Sequence, residues 1–272
     1  MTDLTAADRL TSSLSQPRPA LGVFLPAGFP SRGADAEALQ AFARSGATIL
    51  EVGIPYSDPA LDGPPIAAAY RQALQQGSRI RDVFETVQQV ATTTQVAIVV
   101  VSYWGPVSRL GVEKFTRHLA QAGAAGAMIP DLPIEEAEAW LAAAREAGLL
   151  TPQFVSRHAS DERLARVCSA ASGWIYAPAA DAPTGYEGTL DLSGLQRLTD
   201  RLGELTDLPV VTGIGLSTPD YAAAASRLVR GVVIGSAVVR PLLEQPDRQG
   251  IEYAASRVAE FAHSLRSREP TH

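Results

Sequence analysis

The chain has 272 residues, 46% of them hydrophobic, with a formal net charge of −6 and an isoelectric point near 5.3. That length suits one large domain, since an α/β barrel of about 250 residues is an ordinary single-domain size. Basic residues scattered under a net negative charge argue against nucleic acid or an anionic membrane surface as a partner.

Residues 1–18 are polar, with Arg9 and Arg18 and no apolar core, and read as a loose leader rather than a signal peptide. Short apolar strands then alternate with amphipathic helices. The first strand is expected over 21–25, followed by a loop over 26–32 and a helix over 34–45 that closes at Gly46. The second strand, 48–52, leads into an acidic loop, a helix over 66–76 and a further helix over 81–92. The third strand, 96–101, is the longest aliphatic run and falls far short of the roughly 20 residues that span a bilayer. A helix over 112–122, a strand over 126–129 and a helix over 134–147 closed by Gly148 come next. The fifth strand is expected over 151–155, with Asp161 capping a helix that runs to residue 170. Cys168 falls within that helix and reads as a packed core thiol; as the lone cysteine it allows no internal disulfide and fits a reducing, cytoplasmic compartment. Residues 174–176 form the sixth strand, 177–189 a long loop and 195–205 a helix. The seventh strand, 209–211, precedes a helix after Ser217. The eighth, 231–234, precedes helices up to residue 265, and 267–272 read as a loose tail.

Eight such units over residues 1–272 point to a single closed parallel (β/α)8 TIM barrel. A doubly wound open sheet is the rival, but it carries one dominant glycine-rich turn after its first strand, and here the glycine signals come late.

In a barrel of this kind functional side chains come from the C-terminal ends of strands and the loops that follow. Glu51 ends the second strand and Asp62 lies on the loop beyond it. Two acids so placed can reach opposite sides of one bound molecule, one donating a proton while the other accepts, with burial separating their pKa values. The alternative is an acidic surface loop with a helix-capping aspartate. Tyr176 closes the sixth strand, where a phenol can meet a substrate oxygen or sit in the core. Thr184-Gly185 lies in the sixth loop, Gly213-Ile214-Gly215 follows the seventh strand, and Gly235-Ser236 follows the eighth and opens a helix. Glycines in those loops let main-chain N–H groups approach a phosphate. The only lysine, Lys114, is not at a strand end, which argues against a Schiff-base aldolase. His118, His158, His263 and His272 are far apart with no metal-ligand spacing, and no Gly-Lys-Ser/Thr loop is present. Metal-free acid–base catalysis on a phosphorylated small molecule survives these exclusions.

The run Glu51-Val52-Gly53-Ile54-Pro55-Tyr56-Ser57-Asp58-Pro59, then Asp62-Gly63-Pro64, resembles the alpha subunit of tryptophan synthase. Pro130-Asp131-Leu132-Pro133 and Gly235-Ser236-Ala237 match as well, and the resemblance covers residues 21–239. It implies cleavage of indole-3-glycerol phosphate to indole and glyceraldehyde 3-phosphate, with no cofactor or metal and with a beta-type subunit as possible partner. The general acid/base would be Glu51, protonating indole C3 and helping to deprotonate the side-chain hydroxyl. Asp62 would accept a hydrogen bond from the indole N–H, and Tyr176 matches the active-site tyrosine. Phe24 matches a ring-contacting aromatic, and Tyr103 is counted among the substrate-binding residues. Thr184 matches a threonine that meets the aspartate when the sixth loop closes. Gly185, Gly213, Gly215, Gly235 and Ser236 fall at the phosphate-binding loops.

The chain also departs from that pattern. The sixth loop reads Ala179-Ala180-Asp181-Ala182-Pro183-Thr184-Gly185, losing a glycine and gaining a proline in an expected lid. Gly105 stands where an asparagine belongs to the beta-subunit contact, Ala67 replaces a common glutamine, and Ser156-Arg157-His158 replaces a proline-containing turn facing the substrate. Two alternatives therefore stay open. One is a similar lyase for a modified indole or another phosphorylated substrate, met by Arg157 or His158. The other is a catalytically silent subunit that activates a beta-type partner.

Overall fold

The computed structural model describes residues 4–266; the expected tail and residues 1–3 lie outside the described residues. Eight parallel strands form one sheet in the order β4-β3-β2-β1-β8-β7-β6-β5. They are β1 (Ala20–Pro26), β2 (Ile49–Gly53), β3 (Ala97–Val101), β4 (Gly126–Met128), β5 (Gln153–Phe154), β6 (Ile175–Tyr176), β7 (Val210–Thr212) and β8 (Gly231–Ile234). Their aliphatic runs are buried on both faces, as a parallel sheet wrapped by helices requires. The two ends of that order, β4 and β5, are joined by a lone parallel bridge between Gly126 and Leu150. There the Ala127 N–H donates to the Leu150 carbonyl at 3.0 Å, and the Leu150 N–H to that of Ala125 at 2.9 Å. A side chain at 126 would collide with the Leu150 carbonyl, so the seam closes on a glycine.

The helices are α1 (Ala6–Ser15), α2 (Ala34–Arg44), α3 (Pro64–Gln75), α4 (Ile80–Thr93), α5 (Trp104–Leu110) and α6 (Val112–Ala122), then α7 (Glu138–Glu146), α8 (Asp161–Ala170), α9 (Leu192–Gly203), α10 (Pro219–Ala225), α11 (Ser236–Glu244) and α12 (Arg248–Arg266). Among the described residues no helix is long and apolar enough to cross a membrane.

Several details differ from the sequence reading. The expected leader contains α1, opened by a capping box in which Thr5 and Asp8 exchange hydrogen bonds. Its Leu10 and Leu14, four apart on one stripe, are buried; Leu14 lies beside Gly231, at the N-terminal end of β8 and away from the mouth. The expected helix over 134–147 divides into a 3-10 turn, Ile134–Glu136, and α7. Ser160, not Asp161, caps α8: its hydroxyl accepts the Arg163 N–H at 3.3 Å, and Asp161 is the first helical residue, where its charge suits the helix dipole. Finally α9 begins three residues early, because Asp191 accepts the Gly194 N–H at 2.8 Å and caps it.

Leu10→Ala should lower unfolding stability by about 2–4 kcal/mol, as buried leucine truncations do. Urea or guanidinium titration checks this; an unchanged midpoint would mean that α1 does not contribute to the core.

Candidate active site

Glu51 pairs in register with Phe24 of β1 and Val99 of β3. It lines the barrel mouth with only 3% of its surface exposed. One of its carboxylate oxygens, Oε1, has no hydrogen-bond partner, and burial pushes its pKa from the ordinary 4.5 up to about 8. The group is therefore mostly protonated at neutral pH.

Asp62 has the opposite surroundings. The Tyr103 hydroxyl donates to Oδ2 at 2.8 Å, and the Thr184 hydroxyl donates to Oδ1 at 3.1 Å. Each hydroxyl is itself oriented by a main-chain donor: the Leu61 N–H reaches Tyr103 at 3.0 Å and the Gly63 N–H reaches Thr184 at 2.8 Å. Burial raises the pKa of Asp62, while the two hydroxyl bonds oppose that rise by stabilising the carboxylate. The two acids thus differ in environment, one desolvated without hydrogen-bond partners and the other desolvated but bonded by two donors that favour its carboxylate form.

Tyr176 stacks on Phe154 with ring centres 5.7 Å apart. Burial raises its pKa first and the Glu51 charge next, against a main-chain N–H bond from Ile214, and the charge of Asp62 adds to the rise; all three groups line one cavity. A side chain at Gly213 would strike its hydroxyl, which makes that glycine a packing requirement as well as a loop residue. Tyr103 is stacked in turn on Tyr56, ring centres 5.3 Å apart.

A cavity of about 460 Å³ opens where these side chains meet. Phe24, Glu51, Asp62, Tyr103, Tyr176, Thr184, Gly185, Gly213, Gly215, Gly235 and Ser236 all line it, so every site residue expected from the sequence is brought to one place. The loops after β6, β7 and β8 supply the glycines, and α11 starts at Ser236 with no side chain capping its first turn. Uncapped N–H groups at a helix start, beside glycines, suit an anion.

Phe154 and Met128 also line the cavity and were not singled out from the sequence. Both end barrel strands, which is the signal that could have found them. Arg157 lines the cavity too, but its guanidinium is engaged by Ala179 and Asp191; His158 is exposed and paired with Asp181 at 2.7 Å. Cys168 is buried, as a core thiol should be.

The family model for the tryptophan synthase alpha chain matches residues 10–269. This chain belongs to that family. It is 40% identical over 260 residues to the tryptophan synthase alpha chain of Streptomyces coelicolor, covering 95% of this chain and 96% of that one. With the Thermobifida fusca alpha chain it shares 36% identity, covering 94% of each. A solved structure of Mycobacterium tuberculosis tryptophan synthase superposes with a TM-score of 0.87 at 35% identity, over 97% of this chain and 99% of that one. Within this alpha-chain fold, Gly105 has a local explanation: a Cβ there would stand 2.7 Å from the Tyr56 hydroxyl oxygen. Tyr56 occupies the space that a side chain at 105 would need.

The raised pKa of Glu51 has a signed effect on stability. Between pH 4.5 and about 8 the folded chain holds a proton that the unfolded chain has released, so stability falls with rising pH across that window and levels above it. Glu51→Gln removes the titration and should stabilise the protein on the order of a few kcal/mol at pH 8, with little change near pH 4. Thermal unfolding of both proteins across that range checks the sign.

Proposed function

We propose that this chain cleaves indole-3-glycerol phosphate to indole and glyceraldehyde 3-phosphate, and that Glu51 and Asp62 carry the reaction. The observation that supports this reading is the pairing of a partnerless, desolvated acid with a hydrogen-bonded one in a single cavity. A protonated Glu51 gives its proton to indole C3, breaking the aromaticity of the pyrrole ring and leaving a positive charge on the ring nitrogen. Asp62 accepts the indole N–H hydrogen bond and stabilises that charge; two of its lone pairs are already taken by Tyr103 and Thr184, and others remain. The Glu51 carboxylate so formed accepts the proton of the glycerol hydroxyl next to the ring. The bond between C3 and that carbon breaks, the electrons return to the ring, and aldehyde and indole separate with Glu51 reprotonated.

Phe24 and Tyr103 flank the ring, and the Tyr176 hydroxyl meets a substrate oxygen in the same cavity as Glu51. Main-chain N–H groups around Gly185, Gly213, Gly215, Gly235 and Ser236 take the phosphate, aided by the start of α11. Thr184, by bonding Asp62, closes the sixth loop over the substrate. A tryptophan synthase beta-type subunit is the partner this reading implies, and the cytoplasm is the compartment. The alternative of a modified substrate drew on Arg157 and His158 meeting it; the partners of both lie within the protein, so the unmodified indole is preferred.

Purified protein given indole-3-glycerol phosphate should release indole, and Glu51→Gln should reduce that release by about three orders of magnitude. An active Glu51→Gln variant overturns the mechanism. The rate should also fall as pH rises through about 8, where Glu51 loses the proton it must donate, and fall again in acid as Asp62 is neutralised. A pH profile of kcat/KM reads both limbs.

A further inference from the structure

The sixth loop carries Thr184 to Asp62, and a single guanidinium is fastened to both of its roots. Arg157 Nη1 donates to the Ala179 carbonyl at 3.0 Å, just after β6. Nη2 donates to Asp191 Oδ2 at 2.7 Å and to the Asp191 carbonyl at 3.3 Å, just before α9. The Arg157 side chain is only 10% exposed and the Asp191 side chain 53%, so the bond to the Ala179 carbonyl is sheltered while the ion pair opens to solvent on its Asp191 side. Asp191 is fixed in turn by its other oxygen, which accepts the Ser193 hydroxyl at 2.7 Å and the Gly194 N–H at 2.8 Å. A side chain at Gly194 would collide with both Arg157 and Asp191, so the helix start is shaped to admit the pair.

Other ties to this loop are weaker. His158 and Asp181 are 76% and 71% exposed, and pairs so open to solvent hold little. Arg240 reaches the Gly185 carbonyl at 3.2 Å and Glu187 at 3.1 Å, but its side chain is 43% exposed.

We propose that Arg157 is a positioning residue of the lyase site: by clamping Ala179 and Asp191 it fixes both ends of the sixth loop, so that Thr184 closes on Asp62. It does not touch the reacting atoms. The inference rests on the lyase reading for its kinetic consequence and on the hydrogen bonds alone for its structural one. Without the clamp the closed loop is less populated, and apparent substrate affinity falls by that fraction. Chemistry in the closed complex is unaltered, so the loss falls on KM and spares kcat.

The test compares the unaltered chain with Arg157→Ala, Arg157→Lys, Asp191→Asn and the Arg157→Ala/Asp191→Asn double variant. Amide hydrogen exchange over residues 179–191 should quicken about tenfold in Arg157→Ala while β1 and β2 keep their protection. With indole-3-glycerol phosphate, KM should rise about tenfold with kcat within about twofold, and Arg157→Lys should recover part of the loss because it keeps charge without the planar fork. The double variant should be little worse than either single one, as two ends of one contact require. Unchanged exchange in the loop, or a loss confined to kcat, would overturn the role given to Arg157. Should Arg157→Ala lose protection throughout the barrel, the same comparison on Arg157→Lys and Asp191→Asn decides the matter. If the unaltered chain releases no indole, the lyase reading fails, and the exchange data still judge the clamp.

Discussion

The Asp62 carboxylate is the point on which three loops converge. It sits on the loop after β2, accepts Tyr103 from the loop after β3 and accepts Thr184 from the loop after β6. Neither hydroxyl is free to turn away, since the Leu61 and Gly63 amides donate to them. A partly buried carboxylate with two donors remains a good acceptor at neutral pH, whereas one without them drifts toward the neutral acid. The hydrogen bonds that favour the carboxylate form of this group are the same ones that draw the three loops together.

Glu51 shows what the same burial does without donors. It stands on a strand rather than a loop, so its position is set by the sheet and owes nothing to loop closure. The sheet fixes Glu51, and the loops assemble around Asp62. Rigid placement of one acid and adjustable placement of the other suit a site that must admit a substrate and then exclude water.

Much of this was legible in the sequence. The eight strands could be read because each falls in a short, mostly apolar run, and Glu51, Asp62 and Tyr176 because they end strands or begin the loops beyond. The strands β5 and β6 came out at two residues each, shorter than expected; Pro152 has no N–H to add to the ladder, and Leu150 serves the seam instead. The helix α1 was hidden because polar neighbours mask two leucines four apart, and α5 because Gly105-Pro106 reads as a turn. The partners of Arg157 could not have been read at all. They lie 22 and 34 residues away in sequence and become neighbours only when β5 and β6 pair.

The contact between Tyr56 and Gly105 ties two positions that no local pattern connects. The atom nearest a Cβ at 105 is the phenolic oxygen of Tyr56, with the ring carbon bearing it next at 3.1 Å. The two positions constrain each other: a larger residue at 105 requires the Tyr56 side chain to move or shorten. Because Tyr56 also stacks on Tyr103, such a change reaches Asp62, to which the Tyr103 hydroxyl donates. Position 105 is thereby coupled, through two aromatic rings, to a carboxylate that lines the barrel mouth.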